Sequence, residues 1–419
     1  MHSDLTLILI TATIAALVLL ITVFLLASIM RRVFNNRKYR KLDALRQEYG
    51  SRLSKALESD GITGHEEAFL TKPGSLAWQA VEDILFQVMS EGKFVEEARA
   101  LFQRLGYVRY YEGRLAGRNI VARASAIDKL GRMRCVASTP KLILLLEDRN
   151  MEILSVTVRA LSRIGTKEGL EAIIGRMPDL LGGSLVTRKA VETALHNFGE
   201  MAIPYFLEYH WERVDPWISS CIMETLSHLP PDARSVSFAL DHLQSPNAEV
   251  RSKALKVLGC AEANVPQGLP ELVLPLLEDP IWFVRLQAAK TAGALALETA
   301  ARPLGKLLFD KNWHVRSQAA LALTRFGHTA IDIFLDALST SDYYAKESIC
   351  EEIEKAGLSD LLIANLGGVD GPLRTQSRDI LKIMQGLQFS TPLITYLENG
   401  VDERIKQEIR GFLTDDRKP

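Results

Sequence analysis

Net charge is nearly absent from this 419-residue chain, with 50 Lys and Arg against 51 Asp and Glu. The balance is uneven along the sequence: residues 1–30 carry −1, residues 31–55 carry +7, and residues 56–419 carry −7. A net negative body lacks the positive field on which phosphate binding relies, so a nucleic-acid partner is not expected. Cysteine is scarce as well. Cys135, Cys221, Cys260 and Cys350 are scattered, with no C-x-x-C pair and no histidine at ligand spacing. Neither a disulfide framework nor a zinc site is expected. Cys221 and Cys350 read as ordinary buried thiols. Gly-rich phosphate loops, G-x-S-x-G and H-E-x-x-H are missing too, and His196, His210, His228, His242, His314 and His328 share no common position. No catalytic residue, cofactor or metal ligand is expected, and the chain reads as a non-enzyme.

Charge is missing altogether from residues 5–30, where only Thr6, Thr11, Thr13, Thr22 and Ser28 are polar. About 20 apolar residues cross the hydrocarbon core of a bilayer, so this run predicts a transmembrane helix. A cleaved signal peptide would have a basic residue ahead of a shorter run, whereas here the basic residues Arg31 and Arg32 come after it. The nine positives between residues 31 and 55 place that side in the cytoplasm by the positive-inside rule. A single-pass protein of the inner membrane with a cytoplasmic C-terminal body is expected. Residues 31–62 also form a basic amphipathic segment, with Leu42, Leu45, Tyr49, Leu53 and Leu57 on one side. It would continue the membrane helix as a stalk or lie along anionic headgroups.

What the sequence does have is repetition. Asp279-Pro-Ile-Trp-Phe-Val-Arg-Leu-Gln-Ala-Ala returns as Asp310-Lys-Asn-Trp-His-Val-Arg-Ser-Gln-Ala-Ala, 31 residues later. Taking the Arg as a register mark, the series runs Arg123, Leu154, Arg188, Ser219, Arg251, Arg285, Arg316, Lys346, Arg374 and Lys406. Apolar residues recur one place before the mark and three and seven places after it, which puts them on one helical face. Four places before the mark stand Asn119, Asn150, Ser184, Asp215, Asn247, Ile281, Asn312, Asp342, Asp370 and Asp402. All but Ile281 are side chains that cap a helix start.

A second apolar segment precedes each such helix, as at residues 142–146, 170–174, 272–277 and 331–338. Two helices of about 10–14 residues per unit predict an all-α fold, a right-handed α-solenoid of about ten helical hairpins spanning residues 114–415. Residues 63–113 hold two further helical stretches, 75–89 and 94–105, read as an N-terminal cap for the solenoid.

The Val-Arg-x-x-Ala-Ala pattern after an Asp-containing turn resembles the HEAT repeats, in the short bacterial form also found in phycobilin lyases. The likeness weakens at Leu154 and Ser219, where the basic mark is lost. A HEAT-type di-iron enzyme, deoxyhypusine hydroxylase, repeats His-Glu pairs through its units, whereas the single pair here, His65-Glu66, lies outside the repeats. The resemblance implies a protein-interaction scaffold, with membrane glycosyltransferase systems as one kind of associate. It also raises a second reading, a tetrapyrrole (bilin) lyase or chaperone; a third, a peripheral nucleic-acid binder, comes from the way a basic solenoid face can track phosphates.

Three places before the mark, Trp282, Trp313 and Tyr343 occupy one site in consecutive repeats. Exposed rings in a row would form a partner-binding strip, since aromatics dominate hot spots. The competing reading, favoured by the usual burial of such rings, packs them into the solenoid core. Arg285 and Arg316 are candidates for the same strip, although long cationic stems more often serve packing and pair with turn carboxylates such as Asp279 and Asp310. A second aromatic group, Tyr205, Tyr209, Trp211 and Trp217, reads as core.

Overall fold

The computed structural model describes residues 2–59, 66–183, 185–208, 215–261, 268–369 and 371–415, with backbone only for residues 2–16, 18, 57–59, 66, 414 and 415. The expected members Leu57, Ser184, Tyr209, His210, Trp211 and Asp370, and the His65-Glu66 pair, fall outside the described residues or side chains. Among the described residues there is no strand, and the chain is an all-α solenoid of helical hairpins. It divides into two compact units, residues 1–172 and 173–419.

The first unit opens with one unbroken helix, His2–Ser59, that carries both the apolar run and the basic segment. Its described apolar residues from Leu19 to Phe34 have no protein over them, so this stretch is not a core helix. One helix in the chain is long and apolar enough to cross a membrane, by length and composition. From Leu42 onward the same helix changes character. Leu42 and Leu53 are buried, because the helix Leu76–Glu91 packs along that face. Arg46 fastens the contact through Nε and Nη2 to Asp83 Oδ2, at 3.1 and 2.6 Å. The amphipathic face that was open to a lipid reading is thus covered by protein from Leu42 on.

Leu76–Glu91 is capped by Ser75, whose Oγ accepts the Trp78 N–H, and it ends at Gly92 with φ 75°. The returning helix Val95–Arg104 and the short helix Tyr107–Glu112 close an aromatic core of Trp78, Phe86, Phe102 and Tyr107. Glu82 is buried there and is neutralised by Lys129, which also donates to the Tyr111 hydroxyl. Lys129 belongs to the helix Ile120–Arg132, which packs on Met151–Ile164.

In the second unit the marked helices are Arg188–Asn197, Pro216–Leu226, Ala248–Gly259, Trp282–Ala294, Trp313–Thr324, Tyr343–Lys355, Pro372–Gly386 and Glu403–Asp415. Each of the first six packs on its successor or predecessor in the series. Caps appear where the sequence places them at Asn119, Asn150, Asp215, Asn247, Asn312, Asp342 and Asp402. Two starts differ. Residues 185–187 are not helical, so Thr187 rather than Ser184 caps its helix, its Oγ1 accepting from Ala190. The helix after Asp370 begins at Pro372, whose fixed φ and missing N–H suit a first helical position.

The other helix of most hairpins is shorter than the 10–14 residues expected, although Lys167–Gly182 runs 16. Leu269–Val273 gives way to a 3-10 turn over Leu274–Glu278, and Thr139–Leu144 to one over Leu145–Glu147. Pro275 has no N–H to continue the α-helical ladder, which accounts for the first of these breaks.

Close approach of the marked helices depends on glycine eight places after the mark. A Cβ on Gly131 would lie 2.6 Å from Ala160 Cα, and one on Gly293 would lie 2.8 Å from Ala322 Cβ. Both partners stand six places after the next mark, so one small-on-small contact recurs between repeats. Gly259 meets Thr291 in the same way, and the Thr291 hydroxyl donates to the Leu255 carbonyl at 2.7 Å.

Candidate functional site

The turns that open the marked helices carry the polar framework. Arg251 holds Asp279 through Nε to Oδ2 at 2.9 Å and Nη2 to Oδ1 at 3.0 Å. Arg285 holds Asp310 the same way, at 2.6 and 2.9 Å. Each aspartate stands two places before its helix start and also accepts a backbone N–H, Ile281 for Asp279 and Asn312 for Asp310. In the first unit Arg123 pairs with Asp148, which likewise accepts the Asn150 N–H. The carboxylate therefore ties one repeat's helix to the next repeat's turn. It also serves at Ile281, a start without a capping side chain.

Burial alone would raise the Asp310 carboxyl, but its bonds from Arg285 and the Asn312 N–H, with the charges of Arg285 and Arg316, outweigh it. The group stays below the usual carboxylate range. Arg285 is accordingly committed to the framework. This is the pairing with a turn carboxylate expected of it.

Arg316 is different. Its Nη1 donates to the Asp310 carbonyl at 2.9 Å, as Arg285 Nη1 does to Asp279 at 2.8 Å and Arg251 Nη1 does to Ser245 at 2.8 Å. The edge that grips a carboxylate in the other two repeats has none here. Two places before the next helix start stands Thr340, whose hydroxyl donates to the Ala337 carbonyl instead. Arg316 Nε is shielded from solvent and has no acceptor. A buried donor left without an acceptor costs about 1–3 kcal/mol. Lys346, the next mark, has no carboxylate partner among the described residues either.

On the outer side of these same turns lie the aromatic rings. Trp282 is 43% exposed, Trp313 60% and Tyr343 58%, which overturns the reading that buries them in the core. They are flanked by His314, whose ring centroid is 5.9 Å from Trp282 and 3.6 Å from Trp313, and by Tyr344, 6.1 Å from Tyr343. A cap fixes the first turn of the helix, and the residue just after it then points away from the stripe facing the neighbouring helices. Position in the repeat, more than residue type, decides the exposure. Trp217, two places after the Asp215 cap and expected in the core, is 52% exposed as well, with the Arg188 guanidinium 5.0 Å over its ring.

Elsewhere the ionisable groups are structural. Glu224 is sheltered by burial, which acts to raise its pKa. Bonds from Lys253 and Lys256 overcome that effect and lower it to about 2. Lys256 Nζ lies 2.6 Å and His228 Nε2 3.1 Å from its Oε1. Burial pushes the Cys350 thiol up to about 12 and raises the Cys221 thiol further, so both are buried, unreactive side chains as expected. No group of three or more potential metal ligands occurs among the described residues.

A model of the HEAT repeats matches residues 236–308 and 269–354. No curated protein matches the sequence. Similar solved structures include an engineered protein, at 17% identity and a TM-score of 0.39, covering 74% of this chain and 99% of that one. Another is a mutant of Kap121p, at 12% identity and a TM-score of 0.37, covering 90% of this chain and 56% of that one. The turns that display Trp282, Trp313 and Tyr343 fall inside the matched stretch.

Proposed function

We propose that this chain is a membrane-tethered scaffold that holds a protein partner against the aromatic ridge of Trp282, Trp313 and Tyr343. The observation that carries the reading is three large rings left in solvent at one position of consecutive repeats. Rings so placed are rigid anchors, and Trp and Tyr are over-represented among residues that dominate binding energy. Repeated hairpins present such residues along an extended surface.

The tether is the apolar run of residues 5–30. Its described side chains are uncovered by protein, and the same helix continues into the stretch docked on Leu76–Glu91. A bilayer would cover that run, and the basic residues that follow it would face the cytoplasm. Confining the ridge to a membrane surface raises its effective concentration near membrane-bound partners, which include glycosyltransferase systems.

The test is in-cell crosslinking and co-purification with the full chain and with a Trp282→Ala/Trp313→Ala variant. The variant is expected to melt within a few degrees of the parent and to lose the crosslinked partner. Partner recovery equal to that of the parent would refute the ridge as the binding surface.

A further inference from the structure

The partner's chemistry at the ridge is read from the place where the run of arginine–aspartate pairs at Arg251 and Arg285 ends. Three consecutive marks, Arg251, Arg285 and Arg316, are anchored identically by Nη1 on the backbone carbonyl six places earlier. In the first two, the Nε and Nη2 edge takes the carboxylate of Asp279 or Asp310. In the third the equivalent place in the next turn is Thr340, which has no carboxylate, and Nε is left without an acceptor. The interruption falls beside the two most exposed members of the ridge, Trp313 and Tyr343, and the following mark, Lys346, is unpaired as well.

We propose that a protein partner supplies the missing carboxylate: an extended segment binds along the ridge and places an aspartate or glutamate on Arg316. This rests on the reading of the ridge as a partner surface. The pairing chemistry is set by the chain itself, since Arg251 and Arg285, the two preceding marks, each hold a carboxylate by two parallel N–H bonds. Lys346 adds a second positive charge one repeat further on. Thr340 also lines a groove of about 380 Å³ walled by Arg302, Lys306, Phe309 and Ile333, with Asp336 the one acidic side chain on its rim. Arg302 and Lys306 are tied only to exposed carboxylates, Asp332 at 3.5 Å and Glu278 at 3.2 Å. The groove beside Thr340 is thus cationic and apolar together.

Geometry sets the spacing of the segment. Packed helices stand about 8–10 Å apart, and an extended chain advances about 3.3 Å per residue. One repeat therefore corresponds to about three residues of ligand. A carboxylate opposite Arg316 would be accompanied, about three residues along, by an apolar side chain against a neighbouring ring.

The experiment selects a phage-displayed random 12-residue library on the full chain held in lipid nanodiscs, then measures the winning synthetic peptides against variants. Selected peptides are expected to carry Asp or Glu at a fixed offset from an apolar residue. Thr340→Asp restores an internal carboxylate to Arg316, so it should melt at or above the parent and bind those peptides at least about ten-fold more weakly. Arg316→Gln should lose the same affinity, which keeps the test decisive if the first variant folds poorly. Peptides without acidic residues, no enrichment, or unchanged affinity in Thr340→Asp and Arg316→Gln would each overturn the proposal. Trp313→Ala separates the two readings. If it binds normally while Thr340→Asp does not, the ridge reading fails and the placement of the segment along it fails too, leaving only the carboxylate contact to Arg316. The reverse pattern keeps the ridge and removes the pairing.

Discussion

Arg285 grips both carboxylate oxygens of Asp310, at 2.6 and 2.9 Å, while its Nη1 closes on the Asp279 carbonyl at the start of its own repeat. A single guanidinium thus binds two successive turns, and its aspartate in turn orders the start of the next helix.

Breaking that link has a definite consequence. Asp310→Ala leaves a largely buried guanidinium without its partner and is expected to destabilise the protein by about 2–4 kcal/mol. The folded-state pKa of Asp310 is depressed, so its contribution is complete above the ordinary carboxylate pKa and fades as pH falls below that range. Urea denaturation of Asp310→Asn should therefore differ from the parent at neutral pH and converge with it in acid. Equal stability at neutral pH would count against the link.

Glu224 provides a second acid-sensitive clamp. With its pKa lowered to about 2 from the ordinary 4.5, its stabilisation by Lys253 and Lys256 is present above about pH 4.5 and is lost as pH falls toward 2. Glu224→Gln is expected to cost on the order of 2 kcal/mol at neutral pH and to flatten the acid limb of the stability profile. Melting curves between pH 3 and pH 7 would read this directly.

Close helix approach makes Gly293 intolerant of a side chain. Gly293→Ala sets a Cβ 2.8 Å from Ala322 Cβ and 2.9 Å from its Cα, both on a packed helix rather than a mobile tip. The expected cost is about 1–3 kcal/mol, larger than the gain Ala normally brings to a helix interior. Gly386, with nothing within 4 Å of a built Cβ, is the control, and Gly386→Ala should not destabilise.

Docking of the long helix rests on few residues. Leu42 is 1% exposed and lies where the helix first meets Leu76–Glu91. Leu42→Ala is expected to cost about 2–4 kcal/mol in the first unit, and Arg46→Ala adds the loss of the Asp83 bonds. Hydrogen exchange of residues 42–56 should rise in both variants while exchange in the Trp313–Thr324 helix stays unchanged.

The period, the caps and the apolar stripe were legible because each is local. A cap needs only its own next three residues, and a stripe needs only a spacing of three and four. Seven of the capping side chains could be named before any fold was known, and so could the arginine series. The short first helices were less legible, because Pro275 and its neighbours redirect the backbone only in combination with the turn that follows.

The sequence by itself thus determined the repeats, the uncharged run and the series of basic register marks. Only the tertiary structure decided which side of each turn is wet: a Trp is compatible with either side, and the choice depends on which face the adjacent helices cover. It also decided that Arg285 is already satisfied while Arg316 is not, because pairing depends on a carboxylate about 25 residues away in sequence being brought within 3 Å.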